Sequence, residues 1–346
     1  MKTDEIIGET LGATPLRIGS LHLPGRALLA PMAGVTDSAM RRIALRFGAA
    51  AAVGEMVGAS ALARGDLEAR QRLDGAGLDA HIVQIAARDP ASIAETARRA
   101  EAAGAKLIDI NMGCPCKRVT GGLAGAALMR DPALAASLVR AAVGAVTVPV
   151  SVKMRLGWDD ASRNAAELAR LVESEGAAMV TVHGRTRAQF YEGRADWSAI
   201  AEVRRALRIP LVANGDCASP EDAAVMLERS GADAVMIGRA ALGRPWLVGE
   251  VAHFLASGHR RPALSRAARL EAALEHLDGL LGLMGEAAGL RHARKHLAAY
   301  ADHAPEGGER RALRQALVCT TTAEEAKRLL ARLFTAEAPR EAALAG

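Results

Sequence analysis

Two cysteines stand one residue apart in DINMGCPCKRVTGG, residues 109–122. The chain holds only four cysteines, Cys114, Cys116, Cys217 and Cys319. A Cys-x-Cys pair can be half of a metal site, a redox couple, one catalytic thiol beside a bystander, or two small core residues. Four scattered cysteines make no disulfide framework and fit a reducing compartment. A bridge between Cys114 and Cys116 would close a small, strained ring. A metal would need two further ligands, and Cys217 and Cys319 sit in unrelated contexts, so no metal is expected.

Other groups able to do chemistry recur at the ends of apolar runs. They are Gln84, Asn111, Lys153, Arg155, His183, Arg185, Asn214, Asp216 and Arg239. Each is costly to bury alone. Together at one mouth they imply a polar ligand. Glycines in NGD and IGRAALG, with Arg239, suit a phosphate held by backbone N–H groups. Lys153 would set a positive charge near the axis, where it could stabilise the negative N1 and O2 edge of a reduced flavin.

Such side chains need a scaffold. Eight short apolar runs are the predicted strands, at 27–32, 51–56, 81–86, 106–113, 149–154, 179–184, 210–215 and 234–239. Helix-like segments separate them, two of which open on Asp-Pro, an N-cap followed by a first-turn proline. Apolar strands alternating with helices imply a parallel sheet covered on both faces. Eight such units predict an α/β fold of the (β/α)8 TIM-barrel type, whose function sits at the strand C-termini. No Gly-x-Gly-x-x-Gly turn follows the first strand, which argues against a Rossmann site. LRIGSLHLPGRALL, before the first strand, reads as a hairpin plugging the barrel bottom. From about residue 255 the pattern is helical with no strand candidates. The expected organisation is hairpin and barrel at 1–254, a small all-α helical domain at 255–338, and a disordered tail at 339–346.

Composition sets outer bounds. The 346 residues are 50% hydrophobic and 24% charged, with a net charge of +5. That charge permits a polyanionic partner without requiring one. At 3% aromatic residues, an extended base-stacking platform is not expected. No basic-then-apolar leader and no membrane-length apolar run is visible, so a cytoplasmic protein is expected.

The motifs APMAGVTDSAMRR, DINMGCP, SVKMRLGW, VHGRTRAQFYEGRADW, VANGD and IGRAALGRPW, in that order, resemble the tRNA-dihydrouridine synthases, most closely the bacterial DusB-like (NifR3-type) branch. The resemblance runs from about residue 15 into the C-terminal helices. It implies an FMN-containing TIM barrel with a helical domain that grips tRNA. The implied reaction uses NADPH to reduce the C5=C6 bond of D-loop uridines. A monomer is expected, with no metal and no membrane. By motif match, Pro31, Met32 and Ala33 lie along the isoalloxazine ring, and Gln84 and Lys153 meet its polar edge. His183 contacts flavin and base. Asn214, Gly215, Asp216, Gly238 and Arg239 hold the ribityl-phosphate. Asn111, Arg155 and Arg185 face the uracil. Cys114 is the acid that protonates C5, which a mostly protonated thiol can do.

Cys116 stands where the family more often has a small residue such as Ala, and is read as a packing residue. Gly121 and Gly122 let the loop bend as a lid. Phosphate contacts are expected from Lys117 and Arg118, and from Arg291, Arg294, Lys295, Arg310, Arg311 and Arg314. They would offset the cost of extruding the base. Competing readings are a flavin barrel acting on a free pyrimidine, a non-catalytic RNA-binding barrel, and an aldolase-like barrel using Lys153.

Overall fold

The computed structural model describes residues 15–75, 77–305 and 309–335. It opens on an antiparallel hairpin, β1 (Leu16–Ile18) and β2 (Leu21–Leu23), with Leu16 opposite Leu23. The parallel strands are β3 (Ala27–Leu29), β4 (Ala51–Val53), β5 (Val57–Gly58), β6 (His81–Ala86), β7 (Leu107–Met112), β8 (Val150–Arg155), β9 (Met179–His183), β10 (Leu211–Asn214) and β11 (Ala234–Ile237). They run in the order β4-β3-β11-β10-β9-β8-β7-β6-β5, and β4 also pairs with β6, closing the barrel. The eight expected strands are all present. The run at 51–56 differs in that its strand, β4, stops at Val53, and the short β5 follows beyond it at Val57–Gly58. Gly54 donates to Ile82 O (3.0 Å), and a Cβ there would lie 3.2 Å from the buried Arg41 guanidinium.

Side chains alternate across each strand. The outward set, including Leu29, Val83, Ile110, Val152, Val182 and Ile237, packs under the helices in one large core. The inward set forms layers along the axis, as in barrels of this type. Its lowest layer is apolar: Leu28, Ile82, Leu107, Met179, Val212 and Ala234 join Leu16, Ile18 and Leu23 of the hairpin. The hairpin therefore plugs the bottom. Two residues further along each strand the inward positions turn polar. On β7 and β8 these are Asp109 and Asn111, and Ser151, Lys153 and Arg155. On β9 they are Thr181 and His183, and on β10 Asn214.

The Asp-Pro signals hold. Asp89 and Asp131 cap the helices Pro90–Ala102 and Pro132–Val143, accepting from the backbone N–H groups of Ser92 and Leu134. The last barrel helix, Leu247–Ser257, buries Leu247, Val248 and Val251 in the barrel core and stops at Gly258 in the left-handed region. The helices Arg266–Met284, Glu286–Asp302, Arg310–Cys319 and Ala323–Thr335 share a second core around Leu277, Leu297, Tyr300, Leu317, Leu330 and Phe334. Trp246 ties this core to the barrel, meeting Phe47 edge-on at 6.1 Å between centroids. Among the described residues no helix is long and apolar enough to cross a membrane. The expected tail at 339–346 lies outside the described residues.

Candidate active site

The polar inward layers gather Gln84, Asn111, Lys153, His183 and Asn214 at the C-terminal mouth, on four strands paired in sequence from β6 to β9 and on β10 beside them. Beneath them sits Asp109, which the sequence reading did not single out. Its carboxylate accepts from Ser151 Oγ (2.7 Å) and from Gln84 Nε2 (2.7 Å). Burial pushes its pKa up, and those two hydrogen bonds work against the rise. Gln84 Oε1 in turn accepts from Asn111 Nδ2 (2.7 Å). The chain of bonds fixes the orientation of both amides. Each keeps one N–H, and Gln84 Oε1 an open lone pair, for a ligand.

Asn111 also shapes the cysteine loop. Its Oδ1 accepts from the N–H groups of Gly113 (3.1 Å) and Cys114 (2.9 Å). Cys114 O accepts from Ala126 N (3.0 Å), so the residue is held on both sides. Its thiol is partly accessible, and burial raises its pKa. Cys116 corrects an expectation: it is exposed, at the start of the short helix Lys117–Thr120, and fills no core. That helix begins a turn that carries Cys116 outward.

Lys153 Nζ donates to Asn214 Oδ1 (3.0 Å), and Asn214 Nδ2 donates to Met236 O (2.7 Å). Burial, with Arg155 adding repulsion, brings the Lys153 pKa down to about 8. His183 is 8% exposed. Burial and then the charges of Lys153, Arg155, Arg185 and Arg239 hold it well below the ordinary imidazole range, so it is neutral. Arg185 Nη1 lies 3.3 Å from His183 Nε2. A guanidinium only donates, so His183 accepts at Nε2 and carries its proton on Nδ1.

Arg185 departs from its expected role facing a base. It is 1% exposed. Its donors meet Asp216 Oδ1 and Oδ2 (2.9 and 2.6 Å), Glu192 O, Gly193 O and the His183 ring. A guanidinium has five N–H groups, and these contacts engage all of them. Arg185 therefore positions His183 and the strand-end loops. Arg155 is similarly occupied, donating to Gly113 O (2.8 Å), Thr186 O (2.9 Å) and Phe190 O (2.8 Å). It links the cysteine loop to the loop after β9.

At the opposite rim, Asp216 bridges Arg185 and Arg239 (3.1 Å to Arg239 Nη2). Burial alone would raise its pKa, but the Arg185 bond, the Ala195 N–H and the two cations bring it below the carboxylate range. The carboxylate orients Arg239 rather than meeting an anion itself. Asp216 has φ +58°, strained for a residue with a side chain, and Gly215 before it has φ +116°. A Cβ on Gly215 would lie 2.8 Å from His183 Cδ2 and from Ala195. Trp197 Nε1 donates to Gly215 O (2.8 Å), fixing this turn. Gly238 lies against Met32, whose sulfur would be 3.6 Å from a Cβ there. The Pro31–Met32–Ala33 turn is closed by bonds from Val35 N and Thr36 N to Met32 O. Sequence reading also passed over Tyr191. It is 52% exposed and lies over the guanidinium groups of Arg239 (4.8 Å) and Arg155 (5.6 Å). An aromatic between polar strand-end loops was the signal.

The residue types, their order and their convergence match one family. A family model described as "Dihydrouridine synthase (Dus)" matches residues 28–338. The chain belongs to the dihydrouridine synthase family. A probable tRNA-dihydrouridine synthase of Rhizobium leguminosarum is 50% identical over 280 residues, covering 81% of this chain and 86% of that protein. The tRNA-dihydrouridine synthase B of Xanthomonas axonopodis is 48% identical, covering 86% and 90%. A probable tRNA-dihydrouridine synthase of Rickettsia bellii is 46% identical, covering 85% and 91%. The expected branch of the family stands with these relatives. Histamine dehydrogenase from Rhizobium sp. 4-9 matches at TM-score 0.55 and 15% identity, over 79% of this chain and 50% of that one. That likeness concerns the fold alone, a barrel ringed by helices.

Proposed function

We propose that this chain reduces the C5=C6 bond of D-loop uridines in tRNA to 5,6-dihydrouridine, with FMN in the barrel mouth and NADPH as reductant. Membership of the family supports an oxidoreductase that modifies tRNA uridine with a flavin. The observation that carries the finer reading is the environment of Lys153. Its ammonium, deep in the mouth, has one hydrogen bond among the described residues, to Asn214. An ammonium offers three donors, and on this half-buried side chain two are left facing the open mouth. A ring edge carrying carbonyl oxygens and a ring nitrogen would accept both, so the residues fit an isoalloxazine.

Gln84, Lys153 and His183 Nδ1 would hold the polar ring edge. Pro31, Met32 and Ala33 would flank it, and Gly215, Gly238 and Arg239 would take the phosphate. When bound, the flavin supplies the hydride that adds to uracil C6. Charge then develops over C5 and the C4 carbonyl. Cys114 Sγ–H delivers a proton to C5 from the opposite face, and burial keeps the thiol protonated for that step. The free Asn111 N–H can bond the uracil edge, and Tyr191 offers a face for stacking at the rim.

The C-terminal helices would grip tRNA. Arg291, Arg294, Lys295 and Arg311 are exposed, as are Lys117 and Arg118 beside Cys114. Arg314 is bonded to Asp302 (2.7 Å) and is a weaker candidate for a phosphate. Arg310 sits at the start of its helix, donating to Ala304 O.

The test uses purified enzyme with unmodified tRNA transcript. The protein should be yellow, with a colour that NADPH bleaches and tRNA restores. The D-loop fragment should gain the mass of a hydride and a proton. A protein that reduces a free pyrimidine and ignores tRNA would overturn the reading.

A further inference from the structure

Away from the mouth, a second cluster of reactive side chains lies where the helical layer meets the first barrel helix, Ser38–Arg46. Asp37 caps that helix, its Oδ1 accepting from Met40 N (3.0 Å). Oδ2 is left facing three histidines. His276 Nε2 is 3.2 Å away, and His276 Nδ1 lies 3.1 Å from Tyr300 Oη. The carboxylate can only accept, so His276 donates to it from Nε2, and Tyr300 braces the other side of the ring.

His296 is different. It is 1% exposed, and neither ring nitrogen has a hydrogen-bond partner. Its Nε2 is aimed at Asp37 Oδ2 from 3.8 Å, beyond hydrogen-bonding distance. One turn earlier on the same helix face, His292 Nε2 is also buried without a partner. Buried polar atoms are nearly always satisfied, so orphaned imidazole nitrogens around one carboxylate call for a ligand.

We propose that Asp37, His292 and His296 form a binding site for a zinc-class divalent cation that clamps the helical layer to the barrel. One donor atom from each lies within 4.8 Å of the others. Ligands about 2.0–2.1 Å from a shared zinc ion stand roughly 3.3 Å apart in a tetrahedron. The 3.8 Å pair is close to that spacing, and the half-buried His292 ring closes the remainder by rotating. Two imidazoles and one carboxylate are a familiar zinc set. Burial holds both imidazoles below their ordinary range, in the neutral form that ligates metal. His276, bonded to the ligating carboxylate and braced by Tyr300, has the place of an outer-shell partner.

A cavity of about 30 Å³ gives access from outside, with Asp37, His292, Glu55 and Glu68 on its wall. The cavity meets the cluster at Asp37 and His292, and His296 lies off its wall. Arg41 and Arg72 share that wall, where Arg72 pairs with Glu55 (3.1 Å) and Glu68 (2.6 Å). The expectation of no metal weighed only cysteines as ligands. These ligands come from residues 37, 292 and 296, which sequence spacing does not bring together.

The test uses untagged, flavin-loaded enzyme, stripped with chelator, exposed to micromolar zinc and desalted. Metal content is then read by mass spectrometry. Wild type should retain one zinc per chain and melt several degrees higher with it, and His292→Ala should lose both effects. Cobalt substitution gives a readout that needs no variant: a d–d band to the red of the flavin. No zinc retained by wild type, retention only at millimolar zinc, or equal retention in His292→Ala would overturn the proposal.

Discussion

At the residue scale, the two cysteines of the opening loop separate. Cys114 is held from both sides beside the polar mouth, and Cys116 points outward. Cys114→Ala should keep its flavin and its reduction by NADPH while product formation falls about 100-fold or more. Cys116→Ala should stay within roughly twofold, as surface changes usually do. Stopped-flow reduction paired with product analysis distinguishes the two steps. The pH dependence has a definite sign. Burial raises the Cys114 pKa, so the acid persists through neutral pH and is lost only above the ordinary thiol range. Single-turnover rates of pre-reduced, tRNA-saturated enzyme should be flat from about pH 7 to ~8.5 and fall beyond it. A decline that begins below neutrality would contradict the assignment. Lys153 carries the opposite sign for stability. Its folded pKa of about 8 is below the unfolded 10.5, so the unfolded chain binds the extra proton between those values. Flavin-free protein should gain stability as pH rises through that window, and Lys153→Met should remove the gain while weakening flavin binding.

At the element scale, the barrel was legible because period two fixes which strand residues face the axis. The inward residues Asn111, Lys153, His183 and Asn214 could be named from strand ends alone. What lay beyond sequence was how they share hydrogen bonds. Asp109 reaches Gln84 and Ser151, 25 and 42 residues away. Arg185 reads as a free cation until its acceptors appear around it. At the break between β4 and β5, Gly54 leaves room for the Arg41 guanidinium, a contact between layers that no local pattern encodes. Asp109→Ala would remove the acceptor of Gln84 Nε2 and release Gln84. Flavin affinity should fall about tenfold, as for loss of one buried hydrogen bond to a charged group, ~1.5 kcal/mol. Gly215→Ala would combine a positive φ with a Cβ 2.8 Å from the His183 ring. It should lower stability by about 1–3 kcal/mol and the flavin content on purification.

At the scale of the whole molecule, the helical layer and the barrel meet through close packing. A Cβ on Gly279 would stand 2.5 Å from Ala39 Cβ on the first barrel helix. Gly279→Ala should wedge the two apart. Its expected signature is a raised KM for tRNA with flavin content and NADPH reduction near wild type. Equal loss of all three would place the helices in barrel stability alone. Helical periodicity announced these helices in sequence. Their docking was not legible, since it depends on Trp246, Phe47 and Asp37 meeting residues far along the chain.

The most direct measurement of the central claim is mass spectrometry of D-loop fragments of tRNA from cells lacking this gene, complemented with wild type or Cys114→Ala. The account predicts that deletion removes dihydrouridine from at least one site. Wild type should restore it and Cys114→Ala should not. Full restoration by Cys114→Ala, or tRNA unchanged by deletion where no second synthase is present, would contradict it.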